Sequence, residues 1–165
     1  MATLSLGFGI LHGSEQRTLL REDGYPMTGR LHLEANADYM LGPHAGVGGW
    51  GAFATSSWRS DNGGPELTQN VWFGGVNVPI VLGSSAVSFI LRPKLGFANG
   101  TLGFTPHASS QTVPAYGIDL SLLSRVGHLG LTIGDLFVPA GPPGAVGRHY
   151  DLGSFNICLT GVIDG

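Results

Sequence analysis

The sequence predicts an all-β chain: an eight-stranded antiparallel up-and-down transmembrane β-barrel with short turns at one end and long loops at the other. Three observations carry that expectation. Segments of alternating apolar and polar residues recur along the whole chain, the period-two signature of strands with one face in hydrocarbon or a core. The connections between them are short and long in strict turn, the layout of a barrel that keeps its turns on one side of a bilayer. Only 12% of residues are charged and 42% are hydrophobic, with a mean hydropathy of +0.20. A soluble domain usually carries roughly 25–35% charged residues on its surface.

The candidate strands are Ala2–Gly13, Gly29–Leu41, Gly46–Arg59, Val71–Gly83, Val87–Asn99, Ala115–Val126, Leu129–Ala140 and Leu152–Ile163. Short turns fall at Gly42–Ala45, Ser84–Ala86 and Gly127–His128, and long loops at Ser14–Thr28, Ser60–Asn70, Gly100–Pro114 and Gly141–Asp151. The first strand sets Leu4, Leu6, Phe8 and Ile10 against Thr3, Ser5, Gly7 and Gly9. In the second, Leu31, Leu33, Ala35, Ala37, Tyr39 and Leu41 oppose Arg30, His32, Glu34, Asn36 and Asp38, the clearest alternation in the chain. The fifth sets Val87, Phe89, Leu91, Leu95 and Phe97 against Ser88, Arg92, Lys94 and Gly96. The sixth and eighth repeat the pattern, with Tyr116, Ile118, Leu120 and Leu122, then Phe155, Ile157, Leu159 and Ile163, on their apolar faces. Pro79 and Pro93 fall inside candidate strands, where a missing N–H breaks a ladder bond, so bulges or shifted boundaries are expected there. Asp135 falls on the apolar parity of the seventh strand, which calls for a bulge or a place near the rim.

At 165 residues the chain makes one domain, residues 1–165, with no linker and no repeat beyond the strand rhythm. No stretch approaches the ~20 apolar residues of a membrane helix, and in hydrocarbon the other structure that pairs every backbone group is a closed barrel. The 28 glycines argue against long helices. A net charge of −3 is too mild to indicate nucleic acid or any other charged partner.

A soluble ligand-binding barrel would turn the apolar face inward and leave glycine, serine and a few charges to cover the outside. The opposite assignment sends Leu, Ile, Val and Phe to lipid and gathers Arg30, Arg92, Lys94 and Arg125 with Glu34, Asp38 and Asp119 in the lumen. Mixed signs on one face suit a lumen, because buried charges are tolerated when paired. With the odd strands rising from the turn side, Trp58, Trp72, Phe97, Tyr116, Phe137 and Phe155 fall near the long-loop rim, as an interfacial aromatic girdle does.

With its alternating strands and stretches such as "GVGGWGAF" and "VWFGGVNVPIVLG", the chain resembles, over essentially its whole length, the small outer-membrane barrels of the OmpA/OmpX type. The resemblance implies the outer membrane of a Gram-negative-type envelope, contact with lipid bilayer or lipopolysaccharide, a monomer, and four loops displayed outside for a structural or surface-interaction role. An extracellular ligand, unidentified, would reach those loops. Members usually finish on an aromatic residue in the last strand, whereas this chain ends "CLTGVIDG"; a trimmed end or an absent further domain is one reading of that departure. The opening "MATLSLGFGIL" already reads as strand rather than secretion signal, so a mature-length chain with an added Met1 is expected.

Chemistry is sparse. None of His12, His32, His44, His107, His128 and His149 belongs to an HExxH, a Cys/His metal spacing or a GxSxG elbow. His107 with Ser109 and Ser110 could be cast as a lipid-modifying site, but polar loops carry such residues by default. "GVGG" and "GPPGAVG" lack the Lys-Ser/Thr pair of a phosphate loop. Asp61, Asn62 and Glu66 do not match the spacing of a calcium loop. Cys158 reads as a packing residue. No enzyme, cofactor or metal is expected. Small inward positions, Gly7, Gly9, Gly75, Gly96, Gly117, Gly130, Gly134 and Gly153, leave two readings of the lumen: a narrow polar pore for small solutes, or a salt-bridge network that plugs it. The plug is the favoured one.

Overall fold

The computed structural model describes residues 1–11, 30–58, 66–83, 86–104, 107–124, 128–138 and 153–163. They form β1 (Ala2–Leu11), β2 (Arg30–Met40), β3 (Gly46–Trp58), β4 (Leu67–Asn77), β5 (Ile80–Gly83), β6 (Val87–Phe104), β7 (His107–Ser124), β8 (Leu129–Phe137) and β9 (Ser154–Ile163), with no helix among the described residues. Every pairing is antiparallel, consecutive strands pair except β4 and β5, and β1 pairs with β9. β4 and β5 both lie along β6, so together they make one stave, and the nine segments form a closed barrel of eight strands.

Closure requires stagger. A row followed from Thr101 on β6 passes Asn70, Thr55, Leu31, Phe8, Ile157, Ile133 and Leu120 and returns to β6 at Leu91, ten residues from its start. Such a shear tilts the strands against the barrel axis. It also fixes every side chain's face, because a slip of one residue would exchange the two faces.

The two strand prolines fall at one level of the wall, on neighbouring strands. β4 ends at Asn77↔Lys94 and β5 resumes at Ile80↔Leu91, so Val78–Pro79 stands opposite Arg92–Pro93. The missing N–H groups interrupt the ladder, yet the register is the same on both sides of the gap. The outcome is a break without a bulge. Val78 N donates to the Pro93 carbonyl at 3.1 Å, while β5 is tied to the β2–β3 turn by Val81 N to His44 O at 2.8 Å and Gly46 N to Pro79 O at 3.0 Å.

One expected loop is largely strand, and a second ends in strand. Within Gly100–Pro114, β6 runs on to Phe104 and β7 starts at His107, and Ser60–Asn70 gives its last residues to β4. The polarity of these stretches hid them, since a strand above the membrane has no apolar face to reveal it. Residues 14–28 and 141–151, two of the expected long loops, lie outside the described residues.

The inward glycines do not open a path. A Cβ on Gly7, Gly75, Gly96, Gly117 or Gly130 would run into a backbone oxygen of the neighbouring strand, and at Gly9 and Gly134 it would meet the side chains of Asn156 and Asp119. They let adjacent strands fold sharply toward each other, as a small barrel's curvature demands. Gly75 and Gly96 form a cross-strand pair in which each Cβ would strike the other strand. Gly49, with nothing nearer than 3.7 Å, has room for one. Gly75→Val is therefore expected to abolish the compact, heat-modifiable band of the folded barrel on gel electrophoresis, and Gly49→Val to retain it.

Candidate functional site: lumen and outer surface

Period-two alternation places one parity of each strand inside. Arg30, His32, Glu34, Asn36 and Asp38 are all buried on β2, as are Arg92 and Lys94 on β6 and Asp119 on β7. The lumen is arranged in levels. At the short-turn end Val81, Ile90 and Leu123 pack together, with Met1, Met40 and Val162 against them, as an apolar floor. Above it lies the charged level. Lys94 Nζ sits between two carboxylates, donating to Glu34 Oε1 at 2.5 Å and pairing with Asp119. Arg92 donates from Nε and Nη2 to Asp38 Oδ2 at 3.1 and 2.9 Å. Toward the long-connection end the wall formed by β3, β4, β6, β7 and β8 is again apolar, with Ala54, Val71, Ala98, Val113 and Leu136 buried.

Neutral polar groups extend the charged level around the wall. Asn36 Nδ2 donates to Glu34 Oε1 at 2.7 Å, and Asn77 Nδ2 to Asn36 Oδ1 at 3.1 Å. His32 Nε2 lies 3.4 Å from Glu34 Oε2. Arg92 Nη1 donates to Ser121 Oγ at 3.2 Å, and a hydroxyl chain continues through Thr132 and Thr160 to Ser5 with spacings of 2.8, 2.6 and 2.8 Å. Arg30 Nη2 donates to Ser154 Oγ at 2.6 Å. Hydrogen bonds to charged groups are the strong ones, and a low-dielectric lumen strengthens them further.

Of the seven charged residues expected inside, six are buried there, and five of them join in the Glu34–Lys94–Asp119 and Asp38–Arg92 groups. Arg30 stands apart, near the long-connection end, with its guanidinium carbon 5.6 Å from the Phe73 ring centroid. Arg125 lies outside the described residues. Sequence reasoning missed the aromatic partners of the cations: Lys94 Nζ is 4.9 Å from the Trp50 ring, and Trp50 stacks on Phe73 at 6.3 Å. Trp50 shares its parity with Gly48, Ala52 and Ala54, which was the available signal. Cys158 is buried on the inward parity of β9, opposite Thr132.

The outer surface reverses this chemistry. Leu4, Leu6 and Phe8 on β1, Leu31 and Leu33 on β2, Leu120 and Leu122 on β7, and Ile157 and Leu159 on β9 are all exposed, Phe8 by 74%. That rules out the barrel with its apolar face inward. Trp72, Phe97, Tyr116, Phe137 and Phe155 are exposed as well, toward the long-connection end. Trp72 packs on Phe53 at 4.5 Å and Tyr116 stacks on Phe137 at 5.3 Å. Phe53 had not been singled out in the sequence. Beyond these rings the outward positions turn polar: Thr55 Oγ1 donates to Asn70 Oδ1, and Asn99 Nδ2 to Thr112 Oγ1, both at 2.7 Å. Trp58 stands further out at the end of β3, opposite Leu67, and its side chain lies outside the described residues. Asp135 reaches the outward face with no bulge, opposite Ile118 and Phe155, at the height of the aromatic residues. A carboxylate costs less there than at mid-bilayer.

An apolar band outside, paired charges inside and a closed antiparallel ladder define the fold of a transmembrane β-barrel. Comparison with solved structures agrees. Neisserial surface protein A is similar with a TM-score of 0.59 at 10% identity, covering 98% of this chain and 95% of that one. Ail, the attachment invasion locus protein of Yersinia pestis, crystallised with the heparin analogue sucrose octasulfate, is similar with a TM-score of 0.58 at 11% identity, covering 97% and 96%. No protein-family model matches the sequence, and no curated protein matches it. At such identities the likeness is one of fold: the chain has the architecture of the small eight-stranded outer-membrane barrels.

The lumen network yields a stability test. Glu34 accepts from Lys94 and Asn36 deep inside, whereas Glu66 is exposed. Removing one partner of a buried pair costs about 3–5 kcal/mol. Glu34→Gln is expected to lower the denaturant midpoint of the folded barrel clearly, and Glu66→Gln to leave it unchanged.

Proposed function

We propose that the chain is an integral outer-membrane protein of a Gram-negative-type envelope, a non-catalytic monomer with a structural or surface-interaction role. The observation that carries this reading is the pairing of a lipid-compatible exterior with a filled interior. The floor of Val81, Ile90 and Leu123 and the ion pairs above it support a plug rather than a water-filled path. A pore would have to part Lys94 from two carboxylates and then open an apolar layer. Purified protein in planar bilayers is therefore expected to show no steady conductance; a stable single-channel current would restore the pore.

Catalysis has little support. His107, Ser109 and Ser110 belong to β7 beyond its pairing with β8, away from the apolar band. Function is left to the long-connection end, which outer-membrane barrels turn to the outside of the cell. Ail binds a sulfated sugar analogue in its crystal; here the extracellular ligand has no identified chemistry, and the loops are where it would bind.

Two experiments test this placement. Leu33→Arg and Leu120→Arg put a charge into the apolar band, where Arg costs about 2–4 kcal/mol near the midplane; both should impair folding into liposomes, and normal folding would remove the membrane reading. An epitope tag inserted at Asn62 should be readable on intact cells and one at Ser85 unreadable. The reverse result would invert the orientation.

A further inference from the structure

In one row of the lumen wall a glycine stands between two polar side chains. Asp38, Gly48 and Asn77 are cross-strand neighbours on β2, β3 and β4, with Lys94 of β6 next in line. Gly48 leaves a gap between the side chains that flank it. The point where its Cβ would stand lies 2.5 Å from Asn77 Oδ1, 2.6 Å from Asp38 Oδ1 and 2.6 Å from the Ala37 carbonyl oxygen. Three oxygens therefore converge on one spot.

Two of them meet no protein donor. Asp38 Oδ1 and Asn77 Oδ1 are buried without a hydrogen-bond partner, and Asn77 as a whole is 2% exposed. The surrounding network forces this orientation. As a carboxylate, Glu34 only accepts, so Asn36 turns its Nδ2 to Glu34 Oε1 and its Oδ1 to Asn77. Asn77 answers with Nδ2, which sends its own Oδ1 to the gap. On the other flank Arg92 directs both Nε and Nη2 to Asp38 Oδ2, and Oδ1 is left to the gap.

Charge points the same way. At this level Glu34, Asp38 and Asp119 are paired with Lys94 and Arg92, so among the described residues three carboxylates meet two cations, His32 being counted as neutral. Lys94 is held by Glu34 and Asp119, and the remaining nitrogen of Arg92, Nη1, by Ser121. Arg30 is bonded to Ser154, toward the long-connection end. One negative charge is left over beside two oxygens that lack a donor. A water in the gap would donate to both oxygens but leave that charge uncompensated.

We infer that Asp38 Oδ1, Asn77 Oδ1 and the Ala37 carbonyl form a buried site for one monovalent cation, sodium by size. Carboxylate and carbonyl oxygens are the ligands that hard cations take. A backbone carbonyl has two lone pairs, so Ala37 can serve both the sheet and the ion. Calcium takes its oxygens at about 2.3–2.6 Å and sodium is of similar radius, but a single carboxylate and a single surplus charge suit the monovalent ion. Bound there, the ion ties β2 to β4 across a position where β3 offers no side chain.

The test uses the full chain folded in detergent micelles, with sodium chloride compared against tetramethylammonium chloride at equal ionic strength. Tetramethylammonium is too large for the gap, so screening is matched and only binding at the site differs. A ligand bound by the folded state alone lowers the unfolding constant by the factor 1 + [L]/Kd, about tenfold when sodium stands near ten times its Kd. The urea midpoint of the wild-type chain is therefore expected to rise in sodium. On titration the backbone amide signal of Gly48 and the side-chain amide signals of Asn77 should shift and saturate, while the backbone amides of Thr132 and Thr160, elsewhere in the wall, stay still. Asn77→Leu removes one ligand but keeps the Asp38–Arg92 pair, and it should erase the sodium-dependent rise. Asp38→Asn removes the surplus charge and should erase it too. Gly48 and Asn77 signals that stay unmoved up to molar sodium would assign the gap to water or a shared proton and overturn the inference. A sodium-dependent rise that survives in either variant would overturn it as well. The wild-type titration reads the site directly, so it decides the matter even where a variant does not fold.

Discussion

Everything in this molecule depends on closing the backbone ladder in a medium that offers no other hydrogen-bond partner. An unpaired peptide group in hydrocarbon costs several kcal/mol, so the sheet cannot end; it must meet itself. The ten-residue stagger is how it does so with eight strands. Once register and stagger are set, each side chain has one face available. The interruption of the wall at Val78–Pro79 obeys the same constraint: Val78, opposite Pro93, still donates to the Pro93 carbonyl, and the Pro79 carbonyl accepts from Gly46 N on the other side.

Curvature then decides composition. A ring of eight strands is narrow, and inward glycines stand where neighbouring backbones press closest, as at Gly75 and Gly96. Their abundance looks like emptiness in the sequence, but in the fold it permits contact. The same narrowness lets Lys94 reach Glu34 and Asp119 from a third strand, and lets Arg92 reach Asp38 across the lumen. Pairing is what makes these charges tolerable, because a lone buried charge would shift its protonation or unfold the site.

Much of this was legible in the sequence, for a physical reason. Within the apolar band, alternation reports the lipid boundary directly, so β1, β2, β7 and β9 and six of the seven inward charges could be read from parity alone. Legibility failed where that boundary no longer acts. Above the band both faces meet water, so the upper parts of β6 and β7 read as the loop Gly100–Pro114. Inside the lumen, parity tells which way a residue points but not which partner it meets. The Lys94–Trp50 contact and the Ser121–Thr132–Thr160–Ser5 chain depend on register across strands far apart in sequence. Pro79 and Pro93 are legible as ladder defects, but that they fall at one level of the wall, Pro79 beside Arg92 and Pro93 beside Val78, follows from the β4–β6 and β5–β6 registers alone.

The filled lumen bears on where this fold keeps its freedom to act. Opening the interior would break the Lys94 and Arg92 pairs together, since Arg92 also begins the hydroxyl chain that crosses β7, β8, β9 and β1. A network shared by so many strands resists piecemeal rearrangement and stiffens the wall. Strands that continue above such a wall, as β6 and β7 do, have already lost conformational entropy that a binding surface would otherwise have to surrender. On the proposed reading, the filled barrel serves as a mount for the strands that continue above it, β6 and β7 among them, rather than as a channel.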